Sequence, residues 1–518
     1  MTTLASTFRQ SVRRCPVWAW AALFSLIGSA AVAAFFPPHV PQNHDEFANL
    51  LAGQTFARFQ LTNPAPHLWR FFETPHVLVQ PTYMAKYPPG PGLALAVGLW
   101  LGNPIFGVWL ASALFAAAVA WMLQGFFPRR WALLGAGVVI VQLGLTQYWA
   151  QSFWGGALAG AGGALVFGAT RRLWRTPRAR DAVLLGLGAV LLMFTRPFEG
   201  LLACLVPGGV LAWRWCPRRS VGPGTLAKIA LFGGGPVLAG GLFLAYYQFR
   251  VTGSAWLAPY VVYERQYSGA PLFIWQTPRP EPVFENRALR DFYRSYVEPM
   301  SRHFAPLPTV AFTRLRTTTG QFLGGLLAVA ALLGLLWRPD RWRLLALAGV
   351  AAVSSALVVC YWFGLHYQAP AAALYVFLAI AGLRALFLAL PRRGRRFGLC
   401  TVVLVAAHAP VFFAAQSEER RLDTLRASGP RQRALDTLLA AGGRHIVFVR
   451  LEPPYDPGFC WVNNDADLAA SPVWWVWDRG PVENLGFLAA HPDRSAVLMT
   501  LRGPQLAFAA YPLAAPAP

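Results

Sequence analysis

The chain has 518 residues, 56% of them hydrophobic and 13% charged, with a mean hydropathy of +0.41 and a formal net charge of +23. Apolar runs of about 20 residues recur along most of it, which excludes an ordinary soluble domain and makes an all-α polytopic membrane protein the expected fold class. The positive excess lies in short connectors such as Arg129-Arg130, Arg171 to Arg180 and Arg392 to Arg396. That is the positive-inside pattern of membrane proteins, so nucleic acid is excluded as a partner.

Arg9, Arg13 and Arg14 precede an apolar run from Val17 to Phe36, read as an uncleaved first helix with its N-terminus inside. The polar interval from Pro37 to Pro91 is then outside. It carries two clusters, Asn43-His44-Asp45-Glu46-Phe47 and Lys86-Tyr87-Pro88-Pro89-Gly90-Pro91. Gly92–Leu101 is too short to span and reads as a helix in the outer interface, which places Lys86 at the lipid boundary. One crossing follows, near 104–127. Two more lie between Trp131 and Thr170, joined outside by a connector containing Gln151 and Trp154.

Runs at 182–195 and 199–213 are broken at Arg196-Pro197-Phe198-Glu199, where proline removes a backbone donor. A crossing near 226–249 exits into a second outer loop, 250–317, containing Tyr263-Glu264-Arg265-Gln266-Tyr267. Crossings near 318–337, 344–363, 369–390 and 397–415 complete about eleven. The expected division is a transmembrane domain over 1–415, with outer loops 37–91 and 250–317, and a small extracytoplasmic α/β domain over 416–518. In the latter, 417–441 reads as an amphipathic helix, while 445–451 and 496–501 read as strands. Asn463 to Asp467 reads as a polar turn and Trp474 to Trp477 as an aromatic run. The six cysteines have no metal-site spacing, so neither a disulfide framework nor a zinc cluster is expected.

The acidic pair after the first helix, the Lys-x-Pro-Pro before a short apolar helix and the segment Gly102 to Leu114 resemble GT-C glycosyltransferases. Protein O-mannosyltransferases and the lipid A aminoarabinose transferase are nearest in pattern. The resemblance covers residues 16–215, with a looser likeness at His366-Tyr367-Gln368-Ala369-Pro370. It implies a polyprenyl-phosphate sugar donor, a glycan, lipid or protein acceptor, and a site facing the outer side of a bacterial inner membrane. The N-terminus would be cytoplasmic and the C-terminus periplasmic.

The resemblance makes Asp45, with Glu46 beside it, the base that takes the proton of the attacking hydroxyl, with inversion at the anomeric carbon. Adjacent carboxylates also repel, which raises the proton affinity of one of them. Lys86 and Arg196 match the family's basic residues, and Arg265 is a third candidate cation for the leaving phosphate. His44, Tyr87, Gln151, Trp154, Glu199, His366 and Tyr367 are candidate substrate contacts. The family's second-loop acid is missing at 151–156, where Glu199 is the candidate substitute. No metal ligands are assigned and no cofactor is expected, with a divalent cation left open. The alternatives are a transporter or flippase for lipid-linked saccharides, and a non-catalytic envelope-assembly protein. Against transport, the helix interiors hold almost no ionisable residues.

Overall fold

The computed structural model describes residues 15–35, 40–145, 148–215, 221–297, 306–389, 391 and 429–512, save 457, 459 and 504. The N-terminal arginines, the connector at 392–396 and the expected crossing at 397–415 lie outside them. The chain is mostly helical. Among the described residues six helices are long and apolar enough to cross a membrane: Val17–Ala34, Pro104–Gln124, Pro223–Thr252, Leu307–Trp337, Arg341–Val359 and Leu365–Ala389. This is a multi-pass membrane protein with a small C-terminal sheet.

Two compact units share the chain. One comprises Met1–Pro38, Ile105–Phe243 and Ala305–Glu418, and the other His39–Pro104, Leu244–Phe304 and Glu419–Pro518. The second therefore gathers most of both intervals expected as outer loops together with the C-terminal segment.

The first unit is a bundle of apolar helices around Trp149, which packs on Phe115 and Phe322 and is 1% exposed. Its helices end where sequence chemistry ends them. Ala179–Thr195 stops at Arg196, just ahead of Pro197, and Pro197–Trp215 starts there. Arg314 donates to the carbonyls of Cys360 (2.8 Å), Tyr361 (3.0 Å) and Leu357, closing the C-terminus of Arg341–Val359. A Cβ on Gly382 would lie 1.8 Å from the Ala330 carbonyl, so only glycine allows this helix approach. Leu307–Trp337 begins about ten residues before the expected crossing and is kinked at Gly324, whose φ of 65° is costly for any side-chain-bearing residue. Gln142, in the π-helical stretch Val139–Leu145, donates to the Gln321 carbonyl beside that kink at 3.1 Å.

In the second unit the helix His44–Ala57 packs against the short helix Pro89–Trp100 through Ala52, Phe56 and Gly92. The interval expected as a loop thus has its own fold. Between these helices β1 (Asn63–Pro64), β2 (Val77–Leu78) and β3 (Thr82–Ala85) form an antiparallel sheet in the order β1-β3-β2.

The C-terminal part opens with the helix Gly429–Ala441, twelve residues shorter at its start than the expected 417–441 because 417–428 lie outside the described residues. It continues as β4 (His445–Glu452), β5 (Val473–Trp477), the helix Pro481–Ala489, β6 (Ser495–Arg502) and β7 (Gln505–Ala510). The sheet order is β5-β4-β6-β7, with only the β6–β7 pair antiparallel. The aromatic run is a strand. Alternation explains it: Trp475 is buried while Trp474 is half-buried on the other face, edge-on to Phe72.

Candidate active site

The candidate residues divide between the units: His44, Asp45, Glu46, Lys86, Tyr87 and Arg265 in the second, and Gln151, Trp154, Arg196, Glu199, His366 and Tyr367 in the first.

In the second unit, Asn43 caps the His44–Ala57 helix and accepts from the Glu46 amide at 3.0 Å. The Glu46 carboxylate reaches back to the Gln42 amide at 2.7 Å, in the manner of a capping box. Glu46 is 1% exposed. Asp45 leaves the helix on another side. Its Oδ1 accepts from the Tyr87 hydroxyl and lies 4.0 Å from Nε2 of His76, and its side chain is 23% exposed. The adjacent acids therefore have separate partners. Glu46 stabilises a helix end, and Asp45 is the one a substrate hydroxyl could reach. The positive end of the helix favours the negative charge that a base needs.

His76 carries no sequence signal of its own, and it is held firmly. Its φ is 69°, in the left-handed region. Its amide donates to the Tyr263 hydroxyl at 2.7 Å, and its carbonyl accepts from the Lys86 amide at 3.1 Å. Tyr293 donates to the same Tyr263 hydroxyl at 2.6 Å. Burial, then the charges of Lys86 and His44, hold the His76 ring well below its usual pKa. Burial alone draws His44 down to about 3. Both rings are neutral at pH 7. Among the described residues neither nitrogen of His44 has a hydrogen-bond partner, and its ring meets Phe292 edge-on.

Lys86 is 4% exposed, with Nζ 2.9 Å from Oε1 of Glu264. The rings of Tyr263 and Tyr260 stand 4.6 and 4.7 Å from the ammonium, and Tyr87 stands 5.5 Å away. A buried ammonium requires an opposite charge. That charge comes from 178 residues along the chain. Arg265, the candidate beside it, is exposed, whereas Tyr263, Glu264 and Tyr267 turn inward from the helix Pro259–Tyr267. Glu73 is a further buried acid: its Oε1 accepts from Tyr267 at 2.9 Å, and burial pushes its pKa up to about 7.

In the first unit aromatic rings do the holding. The guanidinium of Arg196 lies 3.9 Å above the Tyr367 ring. Nδ1 of His366 is 2.8 Å from the Tyr148 hydroxyl, and Trp154 stacks on Tyr148 and meets His366 edge-on. Gln151 donates to the Ser29 carbonyl at 3.1 Å. Glu199 is buried in the first turn of Pro197–Trp215. Among the described residues no group of three or more His, Cys, Asp or Glu is arranged to hold a metal ion.

No protein-family model matches the sequence, and no curated protein matches it. Similar solved structures include the oligosaccharyltransferase AglB from Archaeoglobus fulgidus in complex with an inhibitory peptide and a dolichol-phosphate. Its TM-score is 0.48 at 11% identity, covering 93% of this chain and 69% of that one. ArnT from Cupriavidus metallidurans bound to undecaprenyl phosphate has a TM-score of 0.47 at 11% identity, covering 93% and 92%. Both are GT-C superfamily members. Against the apo form of the Archaeoglobus oligosaccharyltransferase the TM-score is 0.47 at 13% identity, and this chain spans 56% of that chain's length. The likeness is partial at these scores, and the side chains of the site carry the functional reading.

Proposed function

We propose that the protein is an integral membrane glycosyltransferase that moves a sugar from a polyprenyl-phosphate donor to an acceptor hydroxyl, with inversion. One observation carries this reading: Asp45 is a partly exposed carboxylate at a helix N-terminus, fixed by the Tyr87 hydroxyl beside a neutral His76. Such a group can take the proton of an attacking hydroxyl as the sugar–phosphate bond breaks. Tyr87 fixes the carboxylate so that it need not reorganise during the reaction.

The donor class comes from the sequence resemblance. Lys86, held by Glu264, is the first candidate cation for the leaving phosphate. Arg196 and Arg265 are the other candidate cations. Gln151, Trp154, His366 and Tyr367 form the candidate sugar contacts in the helical unit. In this reading the active site faces outward from a bacterial inner membrane. Residues 1–415 form the transmembrane domain with its outer loops, and 416–518 the extracytoplasmic domain.

The test is release of free polyprenyl phosphate from a polyprenyl-phosphate sugar by purified protein in detergent, with and without Asp45→Asn. Wild-type release that Asp45→Asn abolishes supports the reading. Movement of the donor across a bilayer without release would make the protein a flippase instead.

A further inference from the structure

The C-terminal sheet has a face that this chemistry does not use. From β4 the chain passes to β5 on one side, then crosses through the helix Pro481–Ala489 to β6 on the other. In open α/β sheets ligands settle outside the carboxyl ends of the strands where connections diverge in this way. A cavity of about 320 Å³ opens at that end, against Arg450 and Leu451 of β4 and Trp477 to Arg479 at the end of β5. Segment Glu285–Ala288 forms another of its walls.

The wall chemistry selects a ligand class. The charged side chains are Glu285, Arg287, Arg450, Asp478, Arg479 and Glu483, three of each sign. All but Arg287, which faces Asp291 at 3.6 Å, are fixed by one another. Asp478 takes Arg450 on Oδ2, and on Oδ1 the Gly480 amide and Asn484 Nδ2. Arg479 lies 2.6 Å from Glu483 and 3.8 Å from Glu285. A phosphate is best chelated by guanidinium groups free to meet it, and here Arg450 and Arg479 are engaged by acids. A balanced wall of rigid donors and acceptors suits hydroxyl groups, each of which both gives and takes a hydrogen bond. Trp477 and Tyr455 add ring surface for the C–H faces of a sugar. Asn286 also lines the cavity, and its Oδ1 accepts from the Ala288 amide at 2.8 Å.

We propose that this cavity binds a neutral saccharide of about one or two rings, within the usual size of small-ligand sites. As the place where a glycan acceptor is recognised, it rests on the glycosyltransferase reading above; as a saccharide site it stands without it.

The experiment is saturation-transfer NMR on the full chain in detergent, with maltose, mannobiose and N,N′-diacetylchitobiose as probes. At least one binds the wild type. Binding weakens about tenfold in Arg450→Leu and in Arg287→Leu, each having lost a donor. The Arg287 side chain is 68% exposed, so its loss of binding is not loss of fold. Asp45→Asn binds the probe as the wild type does; wild-type binding without any transfer activity would uphold the cavity and sink the transferase reading. Three results overturn the proposal: no probe binds, both cavity variants bind like the wild type, or inorganic phosphate displaces the sugar.

Discussion

The two groups of candidate residues are held by different physics. In the loop-rich unit the holding is ionic and hydrogen-bonded: Lys86 with Glu264, Asp45 with Tyr87, Glu46 with the Gln42 amide. In the helical unit it is largely aromatic, with Arg196 over Tyr367 and Trp154 on Tyr148 and His366, beside the Tyr148–His366 and Gln151–Ser29 hydrogen bonds. Removing one member of a buried ion pair leaves an uncompensated charge, whereas removing one ring from an aromatic cluster removes only its own contacts. The loop-rich unit is therefore expected to respond steeply to single substitutions, and the helical unit in small steps.

The largest effect separates the adjacent acids. Asp45→Asn should lower turnover on the order of 10²–10⁴-fold in a normally folded protein. Glu46→Gln should leave turnover per folded molecule near wild type and cost about 1 kcal/mol of stability, the usual value of a helix cap. Steady-state kinetics beside thermal unfolding of both variants would decide it. The reverse pattern would make Glu46 the base.

Next comes the buried pair. Glu264→Leu should destabilise by about 3–5 kcal/mol, because Lys86 stays buried without its counter-charge. Lys86→Met with Glu264→Leu should recover most of that loss while activity stays low. A double variant no more stable than Glu264→Leu would show that the pair does not act as a unit.

The third prediction is a pH dependence of the loop-rich unit. His44 and His76 have depressed folded pKa values, so their contribution is complete above about 6.5 and is lost as pH falls, towards about 3 for His44. Glu73 runs the other way. Raised from 4.5 to about 7, it contributes fully below 4.5 and loses that contribution as pH rises through 7. Between about pH 5 and about pH 6 unfolding takes up two protons and releases one, so stability should rise by on the order of 1.4 kcal/mol per pH unit. Hydrogen exchange in segments 40–104 and 429–512 can measure this. Glu73→Gln should steepen the slope and His44→Phe should flatten it; stability falling over this range would contradict the assignment.

The smallest effect lies in the helical unit. Tyr367→Leu should cost about 1 kcal/mol through the lost cation–π contact, and Arg196→Lys should keep the charge but lose part of the stacking. A rise in donor KM with kcat unchanged is expected for both. Abolished activity in Tyr367→Leu would erase the contrast between the units.

Much of the fold was legible because apolar length and proline breaks are local signals. The short helix after Lys86, the break at Arg196 and strands β4 and β6 all follow from nearby residues. The site was legible only in its first members. Asp45 and Lys86 stand out against an apolar background, but their partners do not. Glu264 is one more charge in a polar loop until the fold brings it to Lys86, while Arg265, one residue away, lies on the exposed face. His76 and Glu73 follow no motif spacing. Their importance comes from burial, which a sequence shows poorly in a mixed α/β segment. The Trp474–Trp477 strand was masked because bulky aromatics fill both faces and blur the period-two alternation.

The kink at Gly324 reaches further than its own helix. Gln142 lies in a stretch whose hydropathy would suit leucine, and its side chain serves the Gln321 backbone of a helix 179 residues away. In a straight helix that carbonyl would already have its partner. The bend and the amide are thus one inherited trait written at two distant positions. Lineages of this protein that lose the glycine are expected to shed the glutamine too, and positions 142 and 324 should drift together.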